Sequence, residues 1–377
     1  MNSLRFVLFF AVVLAVWAGM HGFVFWRLAS VPWVAAHVSR RTLAWTALAL
    51  AASYPLARSL SSRAPAVGGP FEFVAANWIG VLFLLVAALL ATEVLTLGGA
   101  LAPRLAPAIR GWAAVAALVL AAVALVQGLR PPVVKDCEVR LAGLPRERDG
   151  VVLVAVSDLH LGTMIGERWL ARLVARIDGL KPDIVVVVGD LVDGEVGSLE
   201  PLLPALRRLR APLGVWAVTG NHEYYAGLER SVDLLESAGF TVLRDRWAEV
   251  APGLTLAGID DLTARRQFGA PGAPIEQWLA GHPAGAVVLL SHSPLQAGAA
   301  AAAGAGLMLS GHTHNGQIWP FSYLVRLFYP LMGGRYEVGG MTVIVGRGTG
   351  TWGPRMRLWG PGEILRITLR AADAPRR

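Results

Sequence analysis

Asp158-Leu159-His160, Gly189-Asp190-Leu191-Val192-Asp193, Gly220-Asn221-His222-Glu223, Ser291-His292 and Gly311-His312-Thr313-His314 place carboxylates, an amide and imidazoles directly after apolar, strand-like runs. In a parallel α/β sheet those positions are the carboxyl ends of strands, where ligands are bound. Asp158 and His160 lie two residues apart, so a turn could aim both at one ion. Asp190 follows the next strand, where a carboxylate can bridge two cations. Asn221 adds a neutral oxygen that limits the charge on one site, and His292, His312 and His314 complete the set. Hard and borderline donors mixed in this way suit Mn, Fe or Zn better than Ca or Mg. Two such ions can hold a hydroxide and bind both sides of an in-line displacement at phosphorus.

Two further residues have different parts. His222 directly follows Asn221, which turns its ring towards a substrate rather than an ion. A cationic imidazole there could stabilise the charge on the phosphorane and protonate the leaving oxygen. Asp193 either orients that ring, as carboxylates do for functional histidines, or caps the Asp193-Gly194 turn. Glu223 receives no chemical role.

The elements that must position these residues can be read from periodicity. Val151–Ser157, Asp183–Val188, Leu213–Val218, Ala286–Leu290 and Leu307–Leu309 are expected strands. Glu167–Gly179, Leu199–Leu209, Leu228–Ala238 and Pro294–Ala303 are expected helices. Strands alternating with helices argue α/β architecture.

Composition divides the chain. Its 377 residues carry a net charge of +8 and a mean hydropathy of +0.52. Residues 1–129 hold eight arginines against two acids, Glu72 and Glu93, whereas the remainder is nearly balanced. Arginines flanking apolar runs suit a membrane interface and argue against nucleic acid as a partner, since that would need a basic patch on the folded domain. Four spans are expected, at about 6–26 (bounded by Arg5 and Arg27), 42–57, 73–97 and 111–129. Counts of basic residues on the two faces tie, with Lys135 among them, so they do not orient the bundle. Glu93 falls near the end of the third span, as a functional carboxylate or one that snorkels to the interface. Cys137 is the only cysteine, which excludes an intramolecular disulfide.

The ordered set DxH, GDxxD, GNHE, a lone His and GHxH resembles the calcineurin-like metallophosphoesterase superfamily over about residues 150–350. The resemblance implies one ion held by Asp158, His160, Asp190 and His314, and a second by Asp190, Asn221, His292 and His312. His222 then matches the catalytic histidine, paired with Asp193. The implied fold is a four-layer α/β/β/α sandwich behind a bundle of four transmembrane helices. The expected parts are a transmembrane domain over 1–130, a linker over 131–149, a catalytic domain over 150–370 and a tail over 371–377. Gly311–Ile318, Gly346–Gly350 and Arg357–Ile364 are similar to membrane-associated bacterial phosphohydrolases. That branch is similar to enzymes that cleave UDP-2,3-diacylglucosamine and to animal transmembrane proteins with a metallophosphoesterase domain. That likeness implies a phosphorylated small-molecule or lipid substrate, a bilayer as partner, and an inner-membrane protein whose catalytic domain faces the cytoplasm. A phosphodiesterase for nucleic acid or cyclic nucleotides, and a membrane scaffold with a structural metal site, are the alternatives. The apolar stretch Trp319–Met332 beside His312 and His314 is expected either to meet lipid or to pack on its own sheet. Arg326, Arg335, Arg347 and Arg355 are candidates for phosphate.

Overall fold

The computed structural model describes residues 3–372; the expected tail beyond residue 372 and the side chain of Arg5 lie outside the described residues. The chain divides into two compact units, Met1–Arg130 with Gly353–Trp359, and Pro131–Trp352 with Gly360–Arg377.

The first unit is helical: α1 (Ser3–Leu28), α2 (Pro32–His37), α3 (Arg40–Arg63), α4 (Pro65–Thr96) and α5 (Ala106–Leu129). The central helix α4 contacts α1, α3 and α5. Ala114, Ala117, Ala121 and Ala124 form a buried small-residue stripe on α5, which lets neighbouring backbones approach closely without a water-driven core. Most other large apolar side chains of these helices face outward, as in Leu118, Val119 and Val126. Among the described residues, three helices are long and apolar enough to cross a membrane, over Ala11–Leu28, Val67–Gly99 and Ala106–Leu129. The expected span 42–57 is helical as part of α3, but four arginines and four serines in that helix keep it below the same apolar standard.

Both acids of this unit are closed off by arginines. Arg110 clasps Glu93 through Nε to Oε1 (2.6 Å) and Nη2 to Oε2 (3.1 Å), and Arg27 Nη2 lies 2.9 Å from Oε2. Arg58 reaches the fully buried Glu72 at 2.7 Å. Glu93 therefore does not snorkel: it is buried in a three-residue ion cluster. His21 is structural too, donating from Nδ1 to Trp17 O and accepting at Nε2 from the Trp78 indole (3.0 Å).

The second unit is a mixed α/β sandwich. Its strands are β1 (Val133–Leu141), β2 (Val152–Val156), β3 (Ile184–Val188), β4 (Val215–Val218), β5 (Thr241–Val242), β6 (Arg246–Ala251), β7 (Leu254–Ile259), β8 (Ala286–Ser291), β9 (Leu307–Ser310), β10 (Gly334–Val338), β11 (Met341–Val345) and β12 (Glu363–Ala371). One sheet has the order β1-β12-β2-β3-β4-β5 and the other β10-β11-β9-β8-β7-β6. Within them β2, β3, β4 and β5 run parallel, as do β7, β8, β9 and β11. The stretch 131–149 contains β1, a nine-residue strand paired in parallel with β12.

Alternation along each strand builds the layers, because successive side chains point to opposite faces. Leu153, Ala155, Val186 and Val188 face Leu256, Val288, Leu290 and Leu309 in a core between the sheets. Val154, Val156, Val185 and Val187 point the other way, onto α6 (Glu167–Asp178), α7 (Leu203–Leu206) and α9 (Leu228–Ser237), which follows the short α8 (Asn221–Ala226). On the second sheet Val287, Leu289, Met308 and Val343 pack under α11 (Ile275–Leu279) and α12 (Ala297–Ala302), with α10 (Leu262–Phe268) and α13 (Phe321–Arg326) nearby in sequence. Both faces of the central strands are buried, which is why they read as unbroken valine and leucine runs.

One expected helix is corrected. Residues 199–209 form a 3-10 turn over Val196–Leu202 and a single α-turn, α7. Pro201 and Pro204 each lack the amide hydrogen that a continuous helix would need.

Candidate metal centre

Every candidate ligand lies just beyond the carboxyl end of a strand: Asp158 and His160 after β2, Asp190 after β3, Asn221 after β4, His292 after β8, and His312 and His314 after β9. The chain turns sharply at each exit. Asp158, His160, Asp190, His312 and His314 all have φ between +46° and +66°, a region that non-glycine residues rarely occupy. Such backbone costs roughly 1 kcal/mol or more per residue and persists only where surroundings fix it.

Those surroundings can be named. Glu223 is fully buried and accepts hydrogen bonds from the amides of Asp190 (3.0 Å), Leu191 (2.8 Å), Val192 (3.1 Å) and Gly220 (2.6 Å). One carboxylate thus ties the turn after β3 to the turn after β4. Thr349 N donates to Ser157 O (2.8 Å) and Gly350 N to Asp158 O (3.0 Å), so the Gly346–Gly350 segment braces the exit of β2. Two motif glycines leave room for another motif's ligand. A Cβ at Gly220 would stand 2.2 Å from Asp190 Oδ1, and one at Gly311 would stand 2.4 Å from Asp158 Oδ2.

Among the described residues three groups could hold a metal ion: Asp158 with His160 and His314, Asp190 with His292 and His312, and His160 with Asp193 and His222; the first two contain the expected ligands. In the first, His160 Nε2 faces His314 Nε2 at 3.1 Å, and His314 Nε2 lies 3.4 Å from Asp158 Oδ1. Two ring nitrogens at that separation need a proton or a cation between them. In the second, His292 Nε2 is 3.1 Å from Asp190 Oδ2. His312 Nδ1 and Asn221 Oδ1 are 2.8 Å apart. Asp190 Oδ2 is also 3.7 Å from His160 Nε2, so one carboxylate oxygen looks into both groups. Its Oδ1 accepts from the His222 amide at 2.9 Å.

This donor set fits cations. Asp158 is fully buried, yet its Oδ2 has no hydrogen-bond partner among the described residues, an arrangement that is costly unless a charge compensates it. His292 donates from Nδ1 to Val188 O (2.8 Å), which directs the Nε2 lone pair at the cluster, as histidine ligands of metals do.

Electrostatics separate the histidines. Burial, reinforced by the neighbouring His222, drives the His160 imidazole well below its ordinary range, so it is neutral. Burial pushes His292 down as well, but the Asp190 carboxylate outweighs it and holds the ring well above its ordinary value. Burial would raise Asp190, yet His292 and His222 overcome that and keep it ionised. His222 is likewise lowered by burial and raised more strongly by Asp190 and Asp193, whose Oδ1 lies 3.4 Å from Nδ1. The ring sits edge-on to His160, with centroids 4.6 Å apart.

All nine residues singled out from the sequence are therefore brought together. Two others were missed. Glu223 left one sequence signal, a glutamate three residues after the helix-capping position, the spacing of a capping box. Tyr329, hidden in an apolar stretch, places its hydroxyl 2.8 Å from His312 Nε2. That hydroxyl continues through Thr263 (3.3 Å) and Ser293 (2.7 Å) to the buried carboxylate of Asp261 (2.5 Å). Of the arginines, Arg335 bonds Glu138 O and faces Glu337 from β10, and Arg347 faces Glu363. Arg355 is buried in the helical unit, where burial lowers it to about 10.

The family model for Calcineurin-like phosphoesterase matches residues 151–316. An Aquifex aeolicus protein called an uncharacterized metallophosphoesterase is 37% identical over 223 residues, which cover 58% of this chain and 85% of that relative. The chain belongs to the calcineurin-like metallophosphoesterases. That family is one of metal-dependent phosphoester hydrolases. A transmembrane protein with metallophosphoesterase domain from Danio rerio is 39% identical over 266 residues, and one from Bos taurus 36% over 272. Each match covers 67% of this chain, and the chain spans 61% of either relative's length. Together with the three apolar helices, these relatives point to membrane association.

Proposed function

We propose that the chain is a membrane-anchored hydrolase that uses two divalent ions, Mn, Fe or Zn, to cleave a phosphoester or pyrophosphate on a lipid-linked or nucleotide-linked precursor. Residues 1–130 would form a four-helix anchor in a bacterial inner membrane. The linker and entry segment over 131–149, which includes β1 of the sandwich, would lead into the catalytic domain over 150–370, on the cytoplasmic side. The observation that carries the two-ion reading is the position of Asp190 Oδ2 between the two ligand groups.

Asp158, His160, Asp190 and His314 would hold one ion, and Asp190, Asn221, His292 and His312 the other. When bound, the ions supply charge neutralisation at the phosphoryl oxygens and lower the pKa of water. The protein's own residues do the rest. Nδ1 of His222 faces Asp193, which leaves Nε2 to carry a proton to the leaving oxygen. Asp193 beside Nδ1 favours the protonated ring, as general-acid catalysis requires. Glu223 holds the turns bearing Asp190 and Asn221 in fixed relation. The charge-balanced catalytic region favours small or lipid-borne phosphates over polynucleotides, which draw on a basic surface.

The test is hydrolysis of bis-p-nitrophenyl phosphate, p-nitrophenyl phosphate and a diacylated nucleotide-diphosphate sugar by detergent-purified protein supplied with Mn. His222→Ala should lower turnover by about 10²–10⁴-fold with metal content unchanged. Turnover indifferent to that substitution, in protein that has bound its metal, would discard the assignment.

A further inference from the structure

Immediately after the ligand-bearing turn, the chain exposes Trp319, Phe321, Tyr323, Leu324, Leu327 and Phe328, with fractional exposures from 41% to 76%. Scattered apolar residues on a surface are ordinary, but a contiguous group marks a surface that meets something. The outer faces of α6 and α9 show what this unit exposes elsewhere: Arg172, Arg176, Glu229 and Glu236. From Asn315 to Tyr336 there is no acidic residue, while Arg326 closes α13. Aromatic and aliphatic side chains beside a cation, with no acid among them, suit the headgroup layer of a bilayer.

A lipid surface is favoured over a second protein by the rest of the same chain. Three of its helices are long and apolar enough to cross a membrane, so a bilayer would be held at high effective concentration. The stretch is also wired to the ligand cluster, because the next residue, Tyr329, bonds His312 Nε2.

We propose that Trp319–Phe328 is an interfacial docking element that lies among lipid headgroups and holds the metal-ligand cluster at the membrane surface, with Tyr329 as its link to His312. The proposal rests on the membrane-anchored reading above and narrows its substrate class to phosphates carried at the level of the headgroups.

The full chain in nanodiscs of phosphatidylethanolamine and phosphatidylglycerol provides the test. In a Cys137→Ser background, nitroxide labels are placed at Leu327→Cys, at Tyr323→Cys and, as an aqueous reference, at Glu236→Cys on α9. The expected result is an accessibility to oxygen, relative to a nickel chelate, several-fold higher at positions 323 and 327 than at 236. Adding Leu327→Asp and Phe328→Asp should return position 323 to the reference value. A label at 327 as aqueous as that at 236 overturns the proposal. A label inaccessible to both reagents overturns it too, since the patch is then covered by protein. Mn-dependent turnover of bis-p-nitrophenyl phosphate by the same samples reports the catalytic reading separately. Turnover retained with an aqueous label strikes only the docking element, and lipid depth retained without turnover strikes only the two-ion mechanism.

Discussion

Both units bury charge, and they dispose of it in opposite ways. In the helical unit each acid is closed by arginine: Glu93 by Arg110 and Arg27, Glu72 by Arg58. The guanidinium fork satisfies both carboxylate oxygens of Glu93, and its remaining donors go to Ser30 Oγ and Gly98 O. In the sandwich unit Asp158 and Asp190 are surrounded by imidazoles instead, no arginine reaches them among the described residues, and Asp158 Oδ2 is left without a donor. Histidine can surrender its proton to a metal and arginine cannot. The difference separates a cluster that holds helices together from one that remains open to cations.

The comparison can be broken most severely at Asp190. Asp190→Ala removes the oxygen shared by the two ligand groups, so metal content should fall at both, and turnover should fall below that of His222→Ala. Elemental analysis beside the ester assay would show it, and full occupancy in this variant would contradict the shared role. Next comes Tyr329→Phe, which deletes a hydrogen bond to a ligand histidine while keeping the ring. Loss of such a partner typically costs about 10–100-fold in metal affinity or activity, readable as a higher Mn concentration at half-maximal rate.

Proton linkage sharpens the same contrast. His292 is held well above 6.5 in the metal-free protein, so below that raised pKa an arriving ion must displace its proton, whereas His160, held well below 6.5, has none to lose. Metal affinity should therefore weaken as pH falls, with proton release seen by calorimetry in buffers of different ionisation enthalpy. Binding that is insensitive to pH over about two units around the ordinary histidine value would contradict it. The smallest expected effect on hydrolysis belongs to the closed cluster. Glu93→Gln leaves two cations facing a neutral amide, which should destabilise the helical unit by about 3–5 kcal/mol. Folded protein should keep its turnover on soluble esters, measured beside a thermal unfolding scan.

How much of this was legible in the sequence depended on the kind of residue. Asp158, His160, Asp190 and His292 stand at the ends of apolar runs, so type and position could be read together. Burial of β2, β3 and β8 on both faces wrote those runs in valine and leucine. The flanking strands were hidden. β6 carries Arg246 and Glu249 and is paired on one side only, by β7, and β10 alternates exposed and half-buried residues on an edge. Glu93 was visible as an acid near the end of a span, but its partners Arg27 and Arg110 are distant in sequence and meet it only through helix packing. The α3 helix falls short of the apolar standard of the other three for a comparable reason: the span was read from its apolar middle, whereas the helix extends into arginines at both ends.

The glycines of two motifs carry a consequence for descent. Because Gly220 accommodates Asp190 and Gly311 accommodates Asp158, each pair behaves as a lock whose halves lie on different strands. A side chain at position 220 would also meet the backbone nitrogen of Asp190, at 2.5 Å, so no exchange at position 190 alone relieves Gly220→Ala. The motifs should pass from ancestor to descendant as one block, and grafting any single one into a foreign sandwich should fail unless its counterpart travels with it.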